Sequence, residues 1–263
     1  MTSTAVVTGA GRGIGLAFAH RLAEKGHRVV LTDIDAEAAH RAAAEVGHGA
    51  VGLAQDVRSI GSHVEVAAEA EKLGPLAVWI NNAGVLFAGD CWEHPDSEIE
   101  TILEVNVRGV MGGCAAAVRT MGPAGGSILN VASISALTPV PGLALYAATK
   151  AAVLSYTTSL QGDLKHAGLP IRAHALCPDV VGTQMVTSRA KDPGAAMLFS
   201  GPKPLAEDKV AREGMALLDS RQVFRVVPRW RGALVRGIDV APSTGLGVLG
   251  VMRKLGDRRQ ARG

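Results

Sequence analysis

The chain has 263 residues, of which 48% are hydrophobic and 19% charged, with a formal net charge of +3. That supplies one substantial core but is short for two ordinary domains, and the near-balance of charge points to no nucleic-acid partner. No apolar run reaches the roughly 20 residues that cross a bilayer as a helix. The cysteines Cys91, Cys114 and Cys177 follow no regular spacing, so neither a metal site nor a disulfide framework is expected.

Thr4-Ala5-Val6-Val7-Thr8 reads as a short buried strand that runs into Gly9-Ala10-Gly11-Arg12-Gly13-Ile14-Gly15. Strand, glycine turn and a helix starting near Gly13 follow in order. Glycines at 9, 13 and 15 let the backbone turn sharply and approach a pyrophosphate, whose charge the helix N-terminus favours. A second strand, 28 to 33, ends in Asp33, eighteen residues after Gly15. A carboxylate there suits a ribose with free hydroxyls and repels a 2′-phosphate.

Further strands are expected at about 50 to 55, 76 to 81, 126 to 132 and 171 to 177, alternating with helical stretches. This pattern implies a parallel sheet covered on both faces. Asp56-Val57 follows the third strand and Asn81-Asn82-Ala83-Gly84 ends the fourth. Asn106 lies in a long helix with a capping-box start at Ser97-Glu98-Ile99-Glu100. A helix over about 145 to 166 should stop at Gly168-Leu169-Pro170. His27, His48, His63 and His166 are read as surface residues, and no histidine is given a catalytic role.

The chemistry is most legible in Tyr146-Ala147-Ala148-Thr149-Lys150, thirteen residues after Ser133. Helix positions i and i+4 share a face, so the Lys150 ammonium would stand near the Tyr146 phenol. Lowering a phenol pKa from about 10 to about 7 requires roughly 4 kcal/mol of preferential phenolate stabilisation. One positive charge about 4 Å away at an effective dielectric near 20 supplies an energy of that size. Ser133 can donate to, or accept from, a substrate oxygen beside that phenol. A slip in register would put Ser135 in its place; Ser133 is the residue assigned.

These ordered motifs resemble the short-chain dehydrogenase/reductase family, over about residues 4 to 185. The resemblance implies a single-domain α/β fold, a doubly wound Rossmann-type parallel sheet with helices on both faces. It implies an NAD(P)-dependent oxidoreductase in which Tyr146 is the acid or base, assisted by Ser133 and Lys150. Asn106 would hold a water joined to Lys150. Asp56 and Val57 would meet the adenine, the Asn82, Ala83 and Gly84 backbone would lie along the cofactor, and Pro178, Val181 and Thr183 would flank the nicotinamide. The helix bearing Tyr146 would help form a homo-oligomer, a dimer or tetramer.

Asp33 points to NAD over NADP, whereas Arg12 is a residue type that accompanies the phosphorylated cofactor; Asp33 is taken as deciding. The family commonly has Pro-Gly after the sixth strand, but here Pro178 is followed by Asp179, which tolerates positive φ better than most residues. Residues 184 to 205 have the composition of a lid with an apolar inner side, and Val140, Leu143 and Leu145 precede Tyr146. A hydrophobic secondary alcohol or ketone is the expected substrate. Residues 221 to 263 carry +8 against −5 for the remainder. The basic extension from about 240 to 263 is read as a solvated terminal segment packed partly on the body, in preference to a membrane-surface patch. A cytoplasmic setting is expected from cysteine usage and from the lack of an apolar leading segment. The alternatives kept open are a dinucleotide-binding scaffold without turnover and an NADP-preferring carbonyl reductase.

Overall fold

The computed structural model describes residues 2–201, 203–240 and 242–261. Seven strands, β1 (Thr4–Thr8), β2 (Arg28–Asp33), β3 (Val51–Ala54), β4 (Leu76–Asn81), β5 (Gly126–Val131), β6 (Ile171–Pro178) and β7 (Phe224–Val227), form one sheet in the order β3-β2-β1-β4-β5-β6-β7. All pairings are parallel. The doubly wound single-domain fold expected from the sequence is the one observed.

The helices are α1 (Gly13–Glu24), α2 (Ala36–Val46), α3 (Ile60–Leu73), α4 (Asp96–Leu103), α5 (Gly109–Met121), α6 (Ala144–His166), α7 (Gln184–Thr187), α8 (Glu207–Leu218), α9 (Arg229–Val240) and α10 (Pro242–Gln260). Successive strand residues point to opposite faces, which sorts the core into two layers. Val7, Leu31, Ile80 and Leu129 pack with Phe18 and Leu22 of α1 and Met215 of α8. Val6, Val30, Trp79 and Ile128 pack with Val66 of α3, Cys114 of α5 and Val153 of α6. Burial on both faces explains why β1 is apolar or threonine throughout. No helix among the described residues is long and apolar enough to cross a membrane.

Strand boundaries fall within about a residue of the expected ones, and α6 ends as anticipated. Gly168 has φ +67°, and the Leu169 and Gly168 amides donate to the Leu164 and Lys165 carbonyls at 3.1 and 3.2 Å, a Schellman closure. Three expectations are corrected. The strand β7 had no sequence signal because Arg225 interrupts its apolar run; its guanidinium is buried against Glu213 at 3.1 Å. The Ser97 capping box does not form: α4 starts two residues earlier, with Pro95 at the N-cap, and Asp96 and Glu98 in the first turn complement the helix dipole.

His63 is the third correction, for it is fully buried rather than on the surface. Its Nε2–H donates to the Val57 carbonyl at 2.9 Å, and its Nδ1 accepts from Gln55 Nε2 at 3.1 Å. Gln55 Oε1 in turn accepts from Thr32 at 2.6 Å. A period-3.6 pattern with a gap opposite Gly112, whose missing side chain leaves room for the ring, was too weak to reveal this. Burial holds the His63 pKa below its ordinary value. A histidine with a lowered folded pKa binds fewer protons when folded, so its contribution is intact above about pH 6.5 and fades as pH falls toward the folded value. The urea midpoint should therefore drop more between pH 7.5 and 5 in the wild type than in His63→Gln. Equal drops would show that His63 does not titrate against folding.

Candidate active site

The strand order reverses between β1 and β4, and the carboxyl ends of those strands open into a cleft of about 750 Å³, within the range of small-molecule sites. Its floor is a stitched seam. Thr8 Oγ1 accepts from the Asn82 and Ala83 amides, each at 3.1 Å, while Asn82 Nδ2 donates to the Thr8 and Gly9 carbonyls at 3.0 and 2.8 Å. Gly9 has φ +60°, and a Cβ on it would lie 2.7 Å from Ala83 Cα. Gly15 does not line the cleft. A Cβ there would fall 2.4 Å from the Gly9 carbonyl, so its part is to seat α1 against the turn.

Gly13, Ile14 and Arg12 line the cleft at the start of α1. Arg12 is the N-cap residue, and no side chain caps this helix end, so its free amides suit an anion. Asp33 lies beyond, with Oδ2 accepting from the Gly11 amide at 3.0 Å and Oδ1 from the Asp35 amide at 3.2 Å. Asp56 and Val57 also line the cleft, although the Asp56 carboxylate is engaged by Arg58 through Nε at 3.0 Å and Nη2 at 2.6 Å. Those hydrogen bonds hold the Asp56 pKa below the usual carboxylate range. Gly84, Pro178, Val181 and Thr183 also line it. A Cβ on Gly84 would sit 3.5 Å from Lys150 Nζ.

Ser133, at the end of β5, and Tyr146 and Lys150, on the first two turns of α6, meet at the inner wall of the cleft. Lys150 Nζ donates to the Val131 carbonyl at 2.9 Å and stands 5.6 Å from the centre of the Tyr146 ring. Burial dominates both groups: it pushes the Tyr146 phenol up to about 12, with the Ser133 hydroxyl pulling the other way, and the Lys150 ammonium down to about 8. The lowered phenol pKa expected from the sequence is thus not found in the free protein, because desolvation of the phenolate outweighs an ammonium directed at a backbone carbonyl. Of the two serines, Ser133 is the one whose hydroxyl opposes that rise of the phenol pKa.

Asn106 is buried outside the cleft lining, in a π-helical turn (Glu104–Arg108) between α4 and α5. Its Oδ1 accepts from the Val85 amide at 2.8 Å, and its Nδ2 donates to the Val85 carbonyl at 2.9 Å and to Thr149 at 3.1 Å. The side chain therefore pins the loop after β4 to α6.

Val140, Leu143, Met185, Met197 and Leu198 line the outer cleft, as anticipated, whereas Leu145 does not. Pro202, expected in the lid, and Arg262 and Gly263, at the end of the basic extension, lie outside the described residues. The extension packs across the lid segment. Gln260 Nε2 donates to the Ala190 and Asp192 carbonyls at 3.2 and 3.1 Å, and Leu249 and Met252 reach the cleft. Asp179 does not use positive φ. Its Oδ2 lies 3.0 Å from Arg231 Nε of α9, an ionic contact whose N–H direction misses the oxygen, since Nε makes no hydrogen bond. Sequence reading gave no site role to Thr8, although it opens the glycine turn, or to Arg231, which no motif surrounds.

The model of the short chain dehydrogenase family matches residues 3–194. A 3-beta-hydroxysteroid dehydrogenase of Comamonas testosteroni is 34% identical over 201 residues, covering 76% of this chain and 79% of that protein. A galactitol 2-dehydrogenase (L-tagatose-forming) of Cereibacter sphaeroides is 36% identical over 193 residues, covering 72% of this chain and 75% of that protein. The crystal structure of a short-chain dehydrogenase/reductase from Burkholderia phymatum in complex with NAD superposes with a TM-score of 0.80 at 29% identity, covering 89% of this chain and 92% of that one. With the sheet order, the seam and the cleft, these likenesses show that the chain is an oxidoreductase of the short-chain dehydrogenase/reductase family.

Proposed function

We propose that the chain interconverts a hydrophobic secondary alcohol and its ketone with NAD, using Tyr146 as the acid or base. The observation that carries this reading is the convergence of Ser133, Tyr146 and Lys150 on one end of a cleft that has Asp33 at the other. The uncapped start of α1 fits a dinucleotide pyrophosphate. The nicotinamide supplies the acceptor or donor of the hydride. Ser133 orients the substrate oxygen. Tyr146 gives that oxygen its proton in reduction and removes it in oxidation. Lys150 presents three donors, one of which the Val131 carbonyl occupies, leaving two for ribose hydroxyls and the phenol oxygen.

The apolar outer wall supports a hydrophobic substrate, in line with the relative named for a hydroxysteroid and against the one named for a polyol. Arg12 keeps the NADP-preferring alternative in view. Its exposed side chain stands at the mouth of the turn, but Asp33 is nearer the ribose position because it is fixed to the Gly11 amide. A scaffold without turnover would have no need for the three polar groups at the inner wall. Ala148 and Ala151 are exposed on α6, which suits close contact with a second copy. A cytoplasmic setting accords with three free cysteines.

Because a phenol with a raised pKa rests protonated, oxidation should accelerate as pH rises toward that pKa while reduction declines. Tyr146→Phe should lower kcat/KM roughly 10²–10⁴-fold and remove this pH dependence, with NADH binding little changed. Wild-type turnover in the purified variant would overturn the assignment. Asp33→Ala should narrow the preference for NAD over NADP, read as the ratio of kcat/KM values; a wild-type enzyme already more efficient with NADP would shift the role to Arg12.

A further inference from the structure

The substrate end of the cleft holds polar groups that an apolar ligand would leave unused. Among the described residues, five buried side-chain polar atoms lack a hydrogen-bond partner, and three of them, Ser135 Oγ, Thr138 Oγ1 and Arg231 Nε, belong to residues lining this cleft. The elements that carry them are in contact. Ser135 lies on the 3-10 turn Ile134–Leu137 that follows Ser133, Thr138 ends that turn, and α9 packs against it.

Arg231 is the centre of this group. Its side chain is 14% exposed and that of Asp179 is 9% exposed, yet Arg231 Nε makes no hydrogen bond. Asp179 is fixed by the Val180 amide, which donates to its Oδ1 at 2.9 Å. The terminal Arg231 nitrogens lie 3.9 Å from the position a Cβ would take on Gly201 of the lid segment, so the fork is directed to the covered end of the cleft. Buried donors of this kind favour a ligand that pairs them.

Charge decides which ligand. Asp179, 3.0 Å from Arg231, cancels the positive charge, so an anionic group would be desolvated against an already compensated pair and would face the Asp179 carboxylate. A neutral oxygen needs only the donors that are present, and the Ser135 and Thr138 hydroxyls can either give or accept. We propose that Arg231, held by Asp179, together with Ser135 and Thr138 of the adjoining turn, binds a second, uncharged oxygen function of the substrate, a hydroxyl or carbonyl on the same apolar skeleton as the reacting carbon. This rests on the redox reading of the cleft and refines its substrate class. It also accounts for Asp179 at a place where the family resemblance leads one to expect glycine, because Asp179 and Arg231 act as a pair.

The test compares cyclohexanol with cyclohexane-1,3-diol and cyclohexane-1,4-diol in the wild type, in Arg231→Met, and in the double variant Asp179→Asn with Arg231→Met. The double variant removes both charges and so leaves no unpaired buried carboxylate. For each protein, kcat/KM with NAD and the affinity of the NADH-loaded protein by calorimetry are measured. In the wild type at least one diol should exceed cyclohexanol about tenfold to a hundredfold in affinity, the range of one hydrogen bond to a charged donor, and the ratio should fall toward one in both variants. Equal affinities in the wild type, a diol preference that survives both variants, or preference for 3-hydroxycyclohexanecarboxylate over the diols would overturn the proposal. A diol preference in binding that the variants abolish, without oxidation of any alcohol, would uphold the subsite and overturn the redox reading alone.

Discussion

The seam between the ends of β1 and β4 is the constraint on which the rest of the site depends. Thr8 and Asn82 exchange hydrogen bonds in both directions, and the Gly9 backbone lies so close to Ala83 that no side chain fits between them. Because the sheet order reverses at this point, the loops on either side diverge and leave a crevice above it. The start of α1 enters from one side. The ends of β5 and β6 bring Ser133 and Pro178 from the other. A change of even a few tenths of an ångström at Gly9 would move both halves of the crevice relative to each other.

The second physical theme is desolvation. Tyr146 and Lys150 stand where burial disfavours the charged form of each, raising one pKa and lowering the other. From ordinary values of 10.0 and 10.5, the two pKa values move apart to about 12 and about 8, so burial favours the neutral phenol and the neutral amine. Its geometry is maintained from behind. Asn106 engages Val85 and Thr149 with its side chain, so the loop after β4 and the start of α6 cannot shift independently. At the end of the cleft that holds Asp33, the chain from Thr32 through Gln55 and His63 to the Val57 carbonyl plays the corresponding part.

How far the sequence reveals this depends on the range of each interaction. Strands such as Ala5-Val6-Val7 and the helix stop at Gly168 are written in local composition and turn chemistry, and they are found where expected. The short strand with Arg225 and the early start of α4 at Pro95 fail because one residue interrupts or shifts a local pattern. His63 looks like a surface histidine until Gly112, 49 residues away, is seen to make room for it. Asp179 is anomalous in isolation and makes sense only with Arg231, 52 positions later. The phenol pKa is the clearest lesson: spacing shows that Lys150 can reach Tyr146, but the sign of the shift depends on burial, which no spacing encodes.

The central claim is that a single cleft binds NAD across the seam and brings its nicotinamide to Ser133 and Tyr146. A crystal structure of the protein grown with NADH would test this most directly. The account predicts the adenosine ribose hydroxyls at the Asp33 carboxylate, the pyrophosphate over the start of α1, and the nicotinamide C4 facing the space between Ser133 and Tyr146. A dinucleotide bound with its nicotinamide turned away from Tyr146, or its adenosine ribose away from Asp33, would contradict it.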